Sequence, residues 1–245
     1  MIKLHPMDNP YSSSYANPYT VAAQPVDIRA AFIRKTYTPL GGAVLALIVI
    51  EAMLMSIPGI ENTVFGILSK VSWLVVLGAF MVVSWLANKW AMSDTSKGMQ
   101  YLGLCVYIAA ESLILLPLLL MAQLQVGDAS LIMKAGGVTF LLFLGLTVVA
   151  FTTKKDFSFL GGMLKIVGMI ALGLIVVSIL FPSAVSLGLW FSAAMVIFAA
   201  GIILYNTSNI IHHYQTTQYV AASLGLFASV ALLFWYVLQI FMSRD

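Results

Sequence analysis

Charge is what this chain has least of. Only 9% of its 245 residues are Asp, Glu, Lys or Arg, against 61% hydrophobic residues, and the mean hydropathy is +1.00. A soluble domain carries roughly a quarter charged residues, so soluble enzyme folds are excluded and the chain reads as an integral membrane protein. The formal charge is only +3, with Lys and Arg at segment ends, which excludes nucleic-acid binding. Cysteine is almost absent too. Cys105, the single one, lies inside an apolar run, so an intrachain disulfide and a thiolate metal site are excluded and a small core residue is expected. The chain has no HExxH, no glycine-rich phosphate loop and no nucleophile paired with a base. Between Asp94 and Asp245 the only aspartates are Asp128 and Asp156, both in links. A protein that is not an enzyme, with no cofactor and no bound metal, is the expectation.

What is present is a polar leader followed by a series of long apolar runs. Residues 1–36 are polar and hold two copies of Asn-Pro-Tyr, at Asn9–Tyr11 and Asn17–Tyr19, separated by serines. They lack the apolar core of about 7–15 residues that a cleavable signal peptide needs, and their composition predicts a disordered tail. The rest, 37–245, is expected to be one membrane domain. Seven runs, Gly41–Ile57, Val71–Ala87, Tyr101–Leu124, Leu131–Phe151, Gly162–Phe181, Val185–Tyr205 and Tyr219–Met242, are each long enough to cross about 30 Å of hydrocarbon as a helix. Pro182 closes the fifth run in the tight Phe181-Pro182-Ser183 link. Continuous apolar runs in place of alternation exclude a β-barrel. Arg29, Arg34, Lys35, Lys89, Lys97, Lys154, Lys155 and Lys165 fall on one side and Lys70, Lys134 and Arg244 on the other. By the positive-inside rule the N-terminus is predicted to be cytoplasmic and, with seven spans, the C-terminus outside.

Polar groups within the runs mark the candidate sites. A charged side chain near the bilayer centre costs at least about 2.5 kcal/mol on insertion scales. Glu111 lies some 15 Å into the third run, near the midplane, and is read as a bundle-facing acid. Glu51, closer to the end of the first run, can reach the interface or a water-filled cavity. Lys134 and Lys165 are near span ends and can snorkel to the headgroups. Pro117 is expected to kink the third helix. Ala221, Gly225 and Ser229 recur at i, i+4 and i+8, a small-residue face on which another helix can pack closely, which predicts an interior last helix.

The stretch from Gly201 to Ser229 gathers the remaining polar residues. Asn206, Asn209 and His213 recur at i, i+3 and i+7 and can share one helix face. His212 and His213, as neighbours, point about 100° apart and do not make a metal site. They read as a solvated pair at a helix end, or as a pH sensor, since histidine titrates near neutrality.

The segments Thr153-Lys154-Lys155-Asp156-Phe157-Ser158-Phe159-Leu160-Gly161-Gly162-Met163-Leu164, Ile203–His212 and Tyr219–Ala222 resemble the Bax inhibitor/YccA family, also called the transmembrane Bax inhibitor motif family, nearest to its bacterial YccA branch. The specific likeness runs from about Phe151 to the C-terminus. It implies an all-α bundle of seven transmembrane helices with the last helix surrounded by the other six. It also implies a bacterial inner-membrane protein that binds and modulates the membrane AAA+ protease FtsH, as regulator and slowly processed substrate. The alternative within the family is a pH-influenced leak channel for calcium or protons, gated by two aspartates. Those positions fall on Asn206 and Ser229, so both acids of the gate are missing here. An amide and a hydroxyl hydrogen-bond but do not titrate as a coupled acid pair does.

Overall fold

The computed structural model describes residues 19–93, 96–153, 155–183 and 186–243. The Asn9–Tyr11 repeat, Lys154, Val185, Arg244 and Asp245 lie outside the described residues. Among the described residues eight α-helices follow one another: α1 (Val26–Met55), α2 (Ile60–Leu68), α3 (Trp73–Ala91), α4 (Lys97–Val126), α5 (Ser130–Thr152), α6 (Leu160–Leu180), α7 (Leu189–His212) and α8 (Tyr219–Met242). All but the short α2 are long and apolar enough to cross a membrane, so the protein is a seven-span helical bundle. The only β pairing among the described residues is an isolated antiparallel bridge between Thr20 and Gln215.

Two helices form the centre. α8 packs against α1, α3, α4, α5 and α7, while α6 stands at the rim against α7 and α3, outside the ring expected around the last helix. α4 is as central as α8: the apolar window of α4 is 67% buried and that of α8 50%, against 11–22% for the other spans. Leucines at 115, 116, 118, 119 and 120 account for much of this. α4 stays helical through Pro117 and ends at Gly127, whose φ of +85° makes the left-handed C-cap that glycine favours. Cys105 is exposed on the outward stripe of α4, contrary to the core position expected from the apolar run around it. Its exposed neighbours Leu102, Ala109 and Leu113 are as apolar as the leucines on the buried face, so hydropathy does not separate the two. Lys134 and Lys165 are both exposed, as snorkelling requires.

The first helix starts well before residue 37. Phe32, Thr36, Leu40 and Ala43 recur at helical spacing and are buried, whereas Arg29, Arg34 and Lys35 lie outside that buried stripe. The charged residues lower the local hydropathy and conceal an amphipathic helix. Ahead of it, Val21 is wholly buried, and its N–H donates to the Tyr214 carbonyl at 2.9 Å beside the Thr20–Gln215 bridge. The described part of the leader is therefore a docked strap, not a solvated tail. α2, too short and too mixed to register as a span, follows Gly59 (φ +75°) and touches α4.

Among the described residues the core has a small apolar cluster around Ala171, Met195 and Tyr236 and two large ones. Of the large ones, one holds Phe32, Leu40, Tyr107, Ile108, Ile210 and Phe227; the other holds Leu118, Leu131, Ala199, Ile203, Leu233 and Val237. Along α1, α4, α7 and α8 the residues falling between the clusters include Glu51, Glu111, Asn206 with Thr207, and Ser229 respectively. The polar groups read from the sequence thus form a band between two apolar halves.

Candidate functional site

α7 runs on through His212, so Asn206, Asn209 and His212 belong to its last two turns and not to a polar link; His213 caps it. The helix continues because Thr207, Ser208 and Ile210 are buried there, and tertiary packing outweighs the low helix propensity of the polar residues. Asn206 and Asn209 do different work. The Asn206 amide donates to Ser229 Oγ at 2.7 Å and to the Gly225 carbonyl at 3.0 Å, and Ser229 Oγ donates to the same carbonyl at 2.7 Å. This lock joins α7 to the small-residue face of α8, where Ala221 and Ser229 are buried. A Cβ on Gly225 would meet the Asn206 amide at 3.7 Å, ordinary contact, so glycine is not sterically required there. Interhelical hydrogen bonds in membranes average about 0.6 kcal/mol each, so the lock sets register more than stability.

Asn209 and His213 instead line a cleft of about 420 Å³ together with Ser158, Tyr205, Tyr214 and Gln218. The cleft opens on the end of the bundle where α1 begins. Its wall is organised by Asp156, in the α5–α6 link. His213 Nε2 lies 2.9 Å from Asp156 Oδ2 and His212 Nδ1 lies 4.0 Å from Oδ1. Ser208 Oγ donates to Asp156 Oδ1 at 3.1 Å and accepts from the Phe157 N–H at 2.8 Å, and the Ser158 N–H donates to Oδ1 at 2.9 Å. The histidines are thus not a free solvated pair. The sequence shows Asp156 only as an aspartate in a link, far along the chain from the histidines; the signal that could have joined it to them is Asp-Phe-Ser, an Asx-turn pattern inside the family-like segment.

Asp156 also has a pH consequence. Partial burial alone would raise its carboxyl, but the Ser158 backbone amide, the His213 ring and the hydroxyls of Ser158 and Ser208 outweigh it and hold it down at about 2, from an ordinary 3.8. A carboxyl depressed on folding adds stability that is complete above its unfolded value and disappears as pH falls through the folded one. Asp156→Asn is therefore expected to lower the unfolding temperature in detergent at neutral pH, with the deficit closing as the pH approaches about 2. An equal deficit at both ends would show that the carboxylate charge is not what ties the link to α7.

The two buried acids lie apart from these polar networks. Glu51 and Glu111 are both 6% exposed, on facing helices α1 and α4. The Tyr107 hydroxyl reaches Glu111, while neither carboxyl oxygen of Glu51 has a hydrogen-bond partner among the described residues. Glu51 is therefore not a snorkelling carboxylate. Among the described residues no group of three His, Cys, Asp or Glu side chains is placed to hold a metal ion.

These features define a class: a multi-pass helical membrane protein with a neutral polar lock at its centre and a histidine–aspartate clamp at one end. Residues 29–245 match the family described as inhibitor of apoptosis-promoting Bax1, and the chain belongs to that family. An uncharacterized protein of Pseudomonas aeruginosa is 40% identical over 112 residues, 46% of this chain and 50% of that one. The modulator of FtsH protease YccA of Escherichia coli K12 is 37% identical over 129 residues, 52% of this chain and 58% of that one. Bax inhibitor 1 of Schizosaccharomyces pombe is 28% identical over 236 residues, 95% of this chain and 84% of that one. The chain thus matches only 50–58% of the length of the two bacterial relatives.

Proposed function

We propose that this protein is a bacterial inner-membrane partner of an FtsH-type protease, acting as its modulator and slowly processed substrate, with its N-terminus in the cytoplasm. The observation that carries this reading is the likeness to the E. coli modulator of FtsH protease YccA. The site adds support, because Asn206 and Ser229 are already satisfied by each other and by Gly225 and hold no acid pair to open and close. A bundle with two buried central helices unravels slowly under a pulling ATPase. While it does so, it occupies the protease and shields other substrates by competition.

On this reading the handle for the protease ends at the docked strap. Residues ahead of Tyr19 are the segment offered to the ATPase, and the chain is anchored by the Thr20–Gln215 bridge and the buried Val21. Deleting residues 2–18 is expected to slow protease-dependent turnover several-fold in cells while the protein still co-purifies with the protease. Turnover unchanged by the deletion would remove the handle, and absence of the protease from native membrane pull-downs would remove the partnership.

A second reading, a leak path for calcium or protons, draws on Glu51 and Glu111. Flux through proteoliposomes that falls in Glu111→Gln would favour it over modulation.

A further inference from the structure

We propose that Glu51 and Glu111 together form a proton-binding site inside the membrane, a two-carboxyl pair that retains one exchangeable proton when the surroundings are neutral. The pair is separate from the Asn206–Ser229 lock and from the Asp156 clamp, and it does not depend on the protease partnership.

Glu51 on α1 and Glu111 on α4 both fall between the two large apolar clusters, on helices that pack against each other. Both are more than nine-tenths buried, and both Glu51 oxygens lack a hydrogen-bond partner among the described residues. Two ionised carboxylates in such a place would face desolvation and mutual repulsion, with only the neutral Tyr107 hydroxyl, beside Glu111, to offset them.

Among the described residues the surrounding elements supply no counter-charge at the pair. The titratable groups on the helices packed against α1 and α4 include Glu61 on α2, Lys89 on α3, Lys134 on α5, His212 on α7 and Tyr219 on α8, all at helix ends. Tyr236 on α8 faces Phe191 instead. Both lysines are exposed, and the group that reaches the pair is the neutral Tyr107 hydroxyl, beside Glu111. The missing positive charge must be bound. A metal ion wants six or more oxygen ligands in the case of calcium, and among the described residues no third acidic, histidine or cysteine side chain joins the two. A proton needs only the carboxyls themselves. It resides on one of them, suppresses one charge, and leaves the second carboxylate without a charged neighbour.

The chain contains only three glutamates, and the third, Glu61, stands at the start of α2, so ¹³C-glutamate labelling reads this pair almost alone. In lipid nanodiscs the wild-type protein should show, at neutral pH, an infrared carbonyl band of protonated glutamic acid that moves with the label. In Glu51→Gln and in Glu111→Gln the band should vanish at a pH lower by about one unit than in wild type, because the partner charge no longer opposes release. The double variant should lack the band at every pH where Glu61 is ionised. Three results would overturn the proposal: no band in wild type at neutral pH, a band that vanishes at the same pH in wild type and both single variants, or a band that appears only after divalent cations are chelated. The first and third are read on the unmodified protein, so a variant that folds poorly does not leave the question open.

Discussion

Gly103→Ala is expected to loosen the bundle more than any other single methyl group could. A Cβ at Gly103 of α4 would lie 2.5 Å from the Ala87 carbonyl oxygen and 2.8 Å from the Ala91 nitrogen of α3. Both are backbone atoms, which cannot rotate aside as a side-chain tip can. Ala87 and Ala91, fully buried and one helical turn apart, complete a surface of small residues on which α3 and α4 meet. In a membrane such close approach is the main source of helix association, because lipid tails are as apolar as leucine. Overpacking costs typically about 1–3 kcal/mol, and here the helices must move apart to accept it. The check is the unfolding temperature in detergent beside Gly162→Ala, whose Cβ would meet nothing within 4 Å. Equal stability of the two variants would mean that α3 and α4 do not need their present spacing.

Phe227→Ala should have an effect of similar or larger size, through a void instead of a clash. Phe227 is 1% exposed on α8 and meets Tyr107 of α4 edge-on, with ring centroids 6.0 Å apart. Tyr107 in turn meets Phe80 of α3 at 5.9 Å, so one aromatic chain crosses three helices. Phe→Ala in a soluble core costs about 3–5 kcal/mol. In lipid the transfer part of that cost is largely absent, since an unpacked phenyl ring remains in an apolar medium, so the lower end of the range is expected. Unfolding in denaturing detergent measures it. A loss below about 1 kcal/mol would show that the surrounding leucines collapse into the space.

How far the sequence foretold this molecule differed between its apolar and polar parts. All seven spans were visible as runs, because crossing a hydrocarbon layer demands continuous apolar length and little else competes with that signal. The interior place of α8 was legible from Ala221, Gly225 and Ser229. The matching place of α4 was not, since its leucines look alike whether they meet protein or lipid. Gly103 was equally hidden: nothing in its local sequence separates it from the many glycines around which there is open space. Among the candidate site residues, Glu51 and Glu111 stood out because charge is costly in lipid, yet their adjacency depends on how α1 lies against α4. Asn206 and Ser229 were paired by the family resemblance, as the two gate positions without their acids, and the hydrogen bonds between them follow from α7 meeting α8. Asp156 was passed over because its partners lie more than fifty positions along the chain. The early start of α1 was masked by Arg29, Arg34 and Lys35, whose charges lower the average over a window while Phe32 and Thr36 face inward.

The strap at Val21 has a mechanical side. Its amide is tied to the Tyr214 carbonyl, in the turn that feeds α8, so a load applied at the N-terminus does not pass straight into α1. It is shared at once with the turn holding the chain's central helix. The two ends of the fold are thereby coupled in tension, and the outermost helix, α6, is the one least exposed to the pull. Resistance to extraction then begins at the strap, where a backbone hydrogen bond, an isolated bridge and a buried valine take the load before any span has to move.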